Sequence, residues 1–414
     1  MSPALRSSSA GVVIGHAPKV LHVSPWFMPA RSYRGVTEAV YRLCLAIARL
    51  GWEVRALTTD ANGRAEVLPI NTSHEHAASA GFEIRYCGRV MPHSVAPGLL
   101  RHLIPYVRWA DVVHLTSIYS FPTIPTLIAC RLLGRPLVWS PRGELHDWNG
   151  DARTYAKYPW ELICRLAMPR NTLMHVTSDR ERDESLARFG RLRVLNVPNG
   201  ITVPADAARA AGDGVLRLGY IGRLDPRSGI ENLVTACSNL IAAGMPVRLC
   251  VAGDGDPAYE AKLRAKIAMP ELAAKVELQG PVSGAAKRRF FAETDILVAL
   301  SHSDKPMSVV ADALARGVAV LARKGTVWAR VDEVGCGRCV DDNDPESLAR
   351  TIREMAQAPL GEMGRRGRQW IVDEFSWARI ARDMSDTYSA MIDGRISQSE
   401  AASESSFASS LNSH

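Results

Sequence analysis

Short apolar runs alternate with longer segments of helical periodicity along most of this chain, from residue 19 to about residue 340. Within each run the apolar residues are consecutive rather than alternating, which is typical of parallel strands buried between two layers of helices. The pattern predicts strands at residues 20–24, 54–58, 112–115, 137–140, 173–177, 216–221, 247–252, 276–279, 296–299 and 319–322.

Capping residues mark several helix boundaries between these strands. The segment 36–50 carries its apolar residues on one stripe and ends before Gly51, a residue suited to a C-terminal cap. Ser178 and Glu181 have the spacing of a capping box. Asp344 precedes a proline at a first helical position, and Ser376 precedes an amphipathic segment at 377–392. Alternating strands and helices predict two α/β sheets with right-handed crossovers.

Changes in composition divide the chain into parts. Residues 1–17 contain one brief apolar run, too weak for a secretory signal, and we expect a flexible leader there. The small-residue stretch 204–214 separates two halves, which predicts one α/β domain over 18–205 and another over 214–370. Residues 394–414 hold too few apolar residues to order themselves and are predicted to be disordered.

The overall composition is that of a globular protein. With 414 residues the chain exceeds what one hydrophobic core usually fills, and it has no uninterrupted apolar stretch of the length that spans a membrane. The eight cysteines are scattered through mostly apolar segments, which predicts reduced thiols and a cytoplasmic location. Cys336 and Cys339 form a Cys-x-x-Cys pair, but a zinc site needs a second pair or nearby histidines.

Positive charge is concentrated in the first half of the chain. The net charge is +7, with 24 Lys and Arg against 15 Asp and Glu up to residue 205, and 26 against 28 afterwards. A basic half suits an acidic ligand or peripheral contact with the cytoplasmic face of the inner membrane, and a solvated surface is the alternative. Residues 99–109 (LLRHLIPYVRW) have the mixture typical of an interfacial segment; a partly buried helix interrupted by Pro105 is the alternative. No nucleic-acid partner is expected.

Candidate ligand-binding loops follow the strands, because ligands of open α/β sheets bind outside the carboxyl ends of the strands. Gly35 opens the first helix and leaves amides to face an anion, although turn geometry also accounts for this glycine. Arg142 follows the strand predicted at 137–140. Arg223 and Arg227 share one glycine-bounded loop that fits a diphosphate clamp, and surface ion pairs are the alternative.

Acidic residues mark two further loops of the second half. Asp304 and Asp312 lie eight positions apart, the first before an apolar helix and the second inside it. Asp312 is placed to accept hydrogen bonds from ribose hydroxyls, and capping of the helix dipole is the alternative. Asp254 and Asp256 form an Asp-x-Asp that suits Mg²⁺, but turn and N-cap chemistry accounts for both, so no metal site is predicted.

Several motifs of other enzyme classes are missing from the sequence. It contains no GxGxxG after a strand, no GxxxxGK followed by Ser or Thr, no HExxH and no GxSxG. Their absence argues against a dehydrogenase, a P-loop NTPase, a zinc protease and an esterase.

The ordered set of loops over residues 18–392 resembles the retaining glycosyltransferases of GT-B fold known as group one, or family four. The matching segments are SPWFMPARSYRGVTEAV, DVVHLTSIYSFPT, WSPRGELHDW, VPNGI, YIGRL, VAGDGD and DKPMSVVADALARGVAVLA, with Pro-Arg-Gly where many relatives have His-Gly. The resemblance implies an α/β architecture of two Rossmann-like domains with a cleft between them. It also implies that the last helix, at 376–392, crosses back to the first domain.

The resemblance carries a donor site over to named positions. The family's Arg and Lys that clamp the donor diphosphate fall on Arg223 and Ser228, so that Arg227 is the neighbouring cation that can replace the lysine. The family's Glu-x7-Glu pair falls on Asp304, which would hold the donor sugar, and Asp312, which would hold the ribose.

Two loops depart from the family pattern in ways that bear on activity. The Asn-Phe-Gly that usually follows the first acid is Lys305-Pro306-Met307 here, and a proline removes one backbone amide from the phosphate. Lys305 adds a cation at the same place. The first loop has Arg34-Gly35 where Gly-Gly is common, which adds another.

The resemblance therefore implies a hexosyltransferase that needs no metal or other cofactor and moves a sugar from a nucleotide-sugar donor with retention of configuration. The acceptor is a glycan, a lipid-linked sugar or a small molecule in polysaccharide or glycoconjugate biosynthesis. Arg142 and His114 would line the acceptor or donor-sugar side. Two alternatives remain: a catalytically impaired subunit that binds sugar nucleotides as a partner, and an epimerase on the related two-domain fold, which the motifs favour less.

Overall fold

A computed structural model of the chain describes residues 16–63, 66–78, 81–91, 94–145, 153–190, 192–205, 213–300, 307–324, 328–341 and 344–394, without the side chains of 34, 153–156, 307 and 308. The chain divides into two compact units, one formed by the chain up to Gly200 together with residues from Ile380, the other by Ile201–Arg379. Residues 1–15 of the leader predicted at 1–17 lie outside the described residues. So do residues 395–414 of the tail predicted at 394–414.

The first unit is built on a mostly parallel sheet whose strands are apolar on both faces. Its order is β10-β9-β8-β7-β1-β2-β6-β5, and among these pairs β5 with β6 is antiparallel. The strands of the unit, including the separate pair β3 and β4, are β1 (Lys19–Val23), β2 (Glu53–Thr59), β3 (Ala61–Asn62), β4 (Glu66–Val67), β5 (His76–Ala77), β6 (Glu83–Cys87), β7 (Val112–Thr116), β8 (Leu137–Ser140), β9 (Thr172–Val176) and β10 (Arg193–Asn196).

Helices connect the parallel strands of the first unit. They are α1 (Arg34–Ala48), α2 (Gly98–Trp109), α3 (Thr123–Leu133), α4 (Arg153–Ala167) and α5 (Asp179–Phe189). The segment 99–109 corresponds to α2, which turns Leu99, Leu103, Tyr106 and Val107 into the core. Pro105 was expected to interrupt this segment, but the helix continues through it.

The second unit repeats the parallel-sheet architecture in the order β13-β12-β11-β14-β15-β16. Its strands are β11 (Leu216–Ile221), β12 (Val247–Ala252), β13 (Val276–Gly280), β14 (Ile296–Ala299), β15 (Ala319–Arg323) and β16 (Gly337–Val340). Its helices are α6 (Ile230–Ala242), α7 (Pro257–Ile267), α8 (Gly284–Ala292), α9 (Met307–Ala315), α10 (Val331–Val334), α11 (Pro345–Ala356) and α12 (Leu360–Trp370), with a 3-10 turn at Pro226–Ser228 and a π turn at Ile371–Phe375. The predicted α/β class with parallel sheets is confirmed.

The last helix, α13 (Trp377–Ile392), has the predicted bounds, and the Ser376 hydroxyl accepts a hydrogen bond from the Arg379 amide at 3.2 Å. From Ile380 onward its residues belong to the first unit. There the Trp52 indole donates to Ser385 Oγ at 2.8 Å, and Tyr388 is fully buried. Among the described helices, none combines the length and the apolar character that crossing a bilayer requires.

Candidate active site

A cleft of about 210 Å³ opens in the first unit at the carboxyl ends of its central strands. It is lined by the first turn of α1, by the loop after β8, by the start of α5 and by a residue following β10. The lining residues are Gly35, Val36, Ala39, Arg142, Gly143, Thr177, Ser178, Glu181 and Asn199. The cleft thus contains two of the predicted site residues, Gly35 and Arg142. Arg34 begins α1, but its side chain is outside the description.

The loop after β8 holds Arg142 in an unusual backbone conformation. Arg142 has a φ of +56° and Gly143 a φ of +78°, so two consecutive residues are left-handed. An L-residue pays for that conformation by about 1–2 kcal/mol, so neighbouring contacts must hold it in place. One such contact is made by the guanidinium itself, whose Nη1 donates to Asn199 Oδ1 at 2.6 Å.

Glu181 is the buried carboxylate that holds this loop. Its Oε1 accepts the Gly143 amide at 2.6 Å, and its Oε2 accepts the amide and the hydroxyl of Thr177 at 2.7 and 2.9 Å. Ser178 accepts from the Glu181 amide, so the predicted N-cap is present. The second half of the capping box differs from the prediction, since the carboxylate bonds to Thr177 and Gly143 rather than to the Ser178 amide.

A second carboxylate, Glu144, ties the same loop to the residues after β7. It accepts the amides of Ile118 and Tyr119 and the hydroxyl of Ser117, which has a φ of +83°. Burial raises the pKa of Glu144, while these hydrogen bonds lower it. Glu144 and Glu181 were not predicted as site residues; the sequence signal for Glu144 was its place in the Pro-Arg-Gly-Glu motif.

Under the cleft a chain of buried histidines crosses the sheet. His114 forms hydrogen bonds through both ring nitrogens, from Nδ1 to Tyr388 OH at 2.6 Å and from Nε2 to Ser140 Oγ at 2.7 Å. Ser140 Oγ also bonds to His175 Nδ1 at 2.9 Å. The His22 ring lies 4.8 Å from that of His114, and His22 Nε2 is buried without a partner among the described residues. His114 was predicted to line the cleft, but it is buried within the sheet, because it sits in the middle of β7 rather than after its end.

These histidines are neutral in the folded chain. Burial, together with the smaller effect of the nearby positive charge of Arg142, lowers the pKa of His22 and of His175 to about 3. Burial also lowers the pKa of His114, with smaller contributions from His22, His175 and Arg142. Burial lowers the pKa of Arg142 as well, while Glu181 raises it. The cleft therefore keeps a guanidinium above a layer of uncharged imidazoles.

In the second unit, the loop after β11 presents the two predicted arginines differently. Arg227 is 90% exposed and pairs with Asp225, with its Nε donating to Asp225 Oδ1 at 3.1 Å. Arg223 is exposed, and its guanidinium makes no hydrogen bond or ion pair with any residue that the structure describes. Ser228 is buried, and its hydroxyl donates to the Asp225 carbonyl inside the 3-10 turn.

The predicted ribose acceptor Asp312 already has two cationic partners. Its Oδ2 accepts from Lys287 Nζ, and its Oδ1 accepts from Arg316 Nη1 at 3.0 Å. Asp312, Lys287 and Arg316 are each about a quarter exposed, so the ion pairs stay within reach of solvent. Asp304 and Lys305, predicted beside the donor sugar and phosphate, lie outside the described residues.

The remaining candidate residues have local structural roles. Asp256 accepts the amides of Ala258 and Tyr259 and so caps α7, the N-cap alternative weighed for the Asp-x-Asp. Both cysteines of the Cys-x-x-Cys are free thiols. Within the described ranges no three His, Cys, Asp or Glu residues are grouped as metal ligands.

Both halves of the chain match models of glycosyltransferase domains. Residues 34–200 match the glycosyl transferase 4-like domain, and residues 215–358 match the group 1 glycosyl transferases. Among solved structures, sucrose-phosphate synthase from Thermosynechococcus elongatus aligns with a TM-score of 0.59 at 17% identity, covering 91% of this chain and all of that one. Anabaena HepE in complex with UDP aligns with a TM-score of 0.60 at 16% identity, covering 90% of this chain and all of that one. Fold and domain matches together identify the chain as a glycosyltransferase of the GT-B fold.

Two curated relatives are similar over most of their length. A phosphatidyl-myo-inositol mannosyltransferase from Mycolicibacterium smegmatis is 27% identical over 401 residues, which cover 90% of this chain and 96% of the relative. A D-inositol 3-phosphate glycosyltransferase from Segniliparus rotundus is 26% identical over 406 residues, covering 90% and 88%. Both relatives are glycosyltransferases, the class that the domain matches show for this chain.

Proposed function

We propose that the chain transfers a hexose from a nucleoside diphosphate sugar to a lipid-linked or glycan acceptor, with retention of configuration and without a metal. The second unit binds the donor and the first unit binds the acceptor. The relatives named above support this assignment, since one acts on phosphatidyl-myo-inositol and one on inositol phosphate, and a structural neighbour binds UDP. The reaction takes place at the cytoplasmic face of a membrane.

The observation that carries this proposal is the exposed Arg223. It follows β11, at the point where the strand order of the second sheet reverses between β12 and β14, and ligands of open α/β sheets bind at such points. A guanidinium without an ion-pair partner among the described residues is free to take both oxygens of a phosphate. Arg223 therefore supplies the positive charge that a departing nucleoside diphosphate needs.

In the first unit, Arg142 supplies a second cation and the α1 N-terminus supplies a partial positive charge. Gly35 and Arg142 face the same cleft, so the two would act on one negatively charged group. In the second unit, the guanidinium of Arg223 would stabilise the charge that develops on the donor diphosphate in place of a metal ion. Asp304 remains the predicted contact of the donor sugar, and Asp312 would reach a ribose by exchanging one of its cationic partners.

The test is transfer from a panel of UDP-, GDP- and ADP-hexoses to acceptors extracted from membranes, in the presence and absence of EDTA. We expect one donor to be consumed, with EDTA leaving the rate unchanged and NMR of the product showing the anomeric configuration of the donor. Arg223→Gln should abolish donor use, while Arg248→Gln, at an exposed arginine on β12, should not. Inverted product or complete inhibition by EDTA would contradict the proposal.

A second candidate function is a sugar-nucleotide-binding partner of an active transferase. Several predicted donor-site groups already bond to other protein groups, which favours this role. Arg227 pairs with Asp225, Ser228 is buried and Asp312 pairs with two cations. Calorimetry with the same nucleotide sugars separates the two functions. Tight binding together with no turnover on any acceptor extract would favour the partner role.

A further inference from the structure

Exposed apolar side chains of the first unit are concentrated on α2, α3 and α4. Of the fifteen large apolar side chains that are exposed among the described residues, eight lie on these three helices. They are Leu100, Ile104, Ile128, Leu132, Tyr158, Leu162, Ile163 and Leu166. Leu132 is 76% exposed and Leu166 is 67% exposed, which is unusual for leucines with no partner to cover them.

Seven of these eight residues form one stripe on each helix, and Ile163 lies beside the stripe of α4. They recur at four-residue spacing as Leu100 and Ile104 on α2, Ile128 and Leu132 on α3, and Tyr158, Leu162 and Leu166 on α4, so each helix presents a stripe. Helix α3 packs between α2 and α4.

Arg131, in the last turn of α3, and Arg135, two residues after the end of that helix, bond to the neighbouring helices. Arg131 donates to the Leu166 carbonyl of α4, and Arg135 donates to the Arg108 carbonyl of α2 at 2.8 Å. The three stripes therefore form a continuous surface, which we call the α2–α4 face.

The charge on the α2–α4 face has one sign. Helices α2 and α3 contain no acidic residue, and the single acid of α4, Glu161, is buried against Tyr119 OH and lies 3.5 Å from Arg188. The exposed charged residues of the face are Arg101, Arg108, Arg131 and Arg165. The face combines an apolar surface with positive charge that no exposed carboxylate on these helices offsets.

We propose that the α2–α4 face docks the chain on an anionic lipid bilayer, with the leucines and isoleucines entering the interface and the arginines contacting lipid headgroups. Positive charge together with exposed aliphatic side chains is the combination that binds anionic membranes from the surface. A second copy of the chain is disfavoured as the occupant, because two such faces would bring like charges together. A nucleic acid would leave the leucines uncovered.

This inference deepens the proposed function, because its purpose rests on a lipid-linked acceptor, but its test involves no sugar transfer. A failure of vesicle binding would leave donor binding and transfer to be judged separately. Conversely, a chain that proved catalytically inert would still bind vesicles through the α2–α4 face.

The experiment is sedimentation of the full chain with vesicles of phosphatidylcholine alone and of phosphatidylcholine mixed with phosphatidylglycerol. We expect binding to the mixed vesicles that weakens with added salt, because exposed charges are screened. Leu132→Ser combined with Leu166→Ser should reduce this binding by about tenfold or more, since two exposed aliphatic side chains are removed from the interface. The matched control is Val90→Ser with Met91→Ser, at side chains that are 67% and 60% exposed elsewhere in the same unit.

A charge variant tests the same face independently. Arg101→Gln should weaken binding to the mixed vesicles by about fivefold and leave binding to phosphatidylcholine unchanged. Circular dichroism establishes that each variant is folded. The proposal is overturned if the wild-type chain does not sediment with mixed vesicles, if the leucine variant binds as well as the control, or if the leucine variant instead abolishes a dimer seen by light scattering.

Discussion

The two units present their arginines in opposite ways. In the first unit, Arg142 bonds to Asn199 and lies in a strained loop that two carboxylates hold: Glu181 accepts the Gly143 amide of the loop, and Glu144 of the loop accepts the Ile118 amide after β7. In the second unit, Arg227 is exposed and pairs with Asp225, while the guanidinium of Arg223 makes no hydrogen bond or ion pair with a described residue. In the first unit Arg142 is held in place before any ligand binds. In the second unit Arg227 is paired with a carboxylate, while Arg223 is available to a ligand. A ligand therefore meets a rigid site in one unit and an adaptable site in the other.

The rigid site depends most on Glu181. Glu181→Ala should lower the free energy of unfolding by about 2 kcal/mol, because the amides of Gly143 and Thr177 lose their acceptor in two part-buried hydrogen bonds. Urea denaturation measures the change. Asp183→Ala, on the exposed face of the same helix, should change it by less than about 0.5 kcal/mol. Equal effects of the two variants would show that Glu181 does not hold the loop.

The neutral histidines under this site predict a loss of stability in acid. Because burial lowers the pKa of His22 and of His175 to about 3, the unfolded chain takes up protons below the ordinary histidine value of 6.5 while the folded chain does not. Each such histidine should lower the free energy of unfolding by about 1.4 kcal/mol per pH unit as the pH falls from 6.5 toward 3.

Urea denaturation between pH 7 and pH 5 measures this slope, and His175→Gln should reduce it whatever its effect at pH 7. A slope unaffected by the substitution would mean that His175 is protonated in the folded chain.

Because Arg142 has a strained backbone, two substitutions can test the guanidinium and the backbone conformation separately. Arg142→Gly and Arg142→Ala both remove the guanidinium, but the glycine tolerates a φ of +56°. The glycine variant should therefore be more stable than the alanine variant by about 1 kcal/mol, with transfer lost in both. Thermal unfolding and the donor assay check the two expectations. An alanine variant as stable as the glycine variant would show that the loop relaxes freely.

Much of the fold could be predicted from the sequence. Each of the ten apolar runs is a strand, with ends that differ by at most one residue from the prediction. Six strands were missed: β3, β4 and β5, which have two residues each, and the longer strands β6, β10 and β16. In β6 the charged residues Glu83 and Arg85 alternate with apolar ones, and β10 and β16 are four-residue strands at the edges of their sheets, each with only two consecutive apolar residues.

The site could be predicted only in part. The motif around Arg142 and the loop around Arg223 were found because each follows an apolar run. The hydrogen bond from Gly143 to Glu181 joins residues 38 positions apart, and the ion pair of Asp312 with Lys287 spans 25, so no local pattern signals either. His114 was predicted to line the ligand side because it lies near the end of the strand predicted at 112–115, whereas the observed strand continues to Thr116 and buries His114 within the sheet.

The contribution of Arg227 to ligand binding in the second unit can be tested by removing its ion pair with Asp225. Asp225→Asn keeps an acceptor for the Arg227 amide but removes the negative charge that raises the pKa of Arg227. Affinity for UDP or GDP should then increase by about threefold, since an exposed ion pair is weak. Calorimetry of both nucleotides checks this. Weaker binding would mean that Asp225 itself contacts the ligand.

The central claim is that Arg223 binds the diphosphate of the donor. The most direct measurement is calorimetric titration of UDP and GDP into wild type, Arg223→Glu and the control Arg248→Glu. We expect Arg223→Glu to weaken the affinity for the nucleotide that wild type binds by at least about tenfold, while Arg248→Glu leaves that affinity unchanged. Equal affinity of wild type and Arg223→Glu would contradict it.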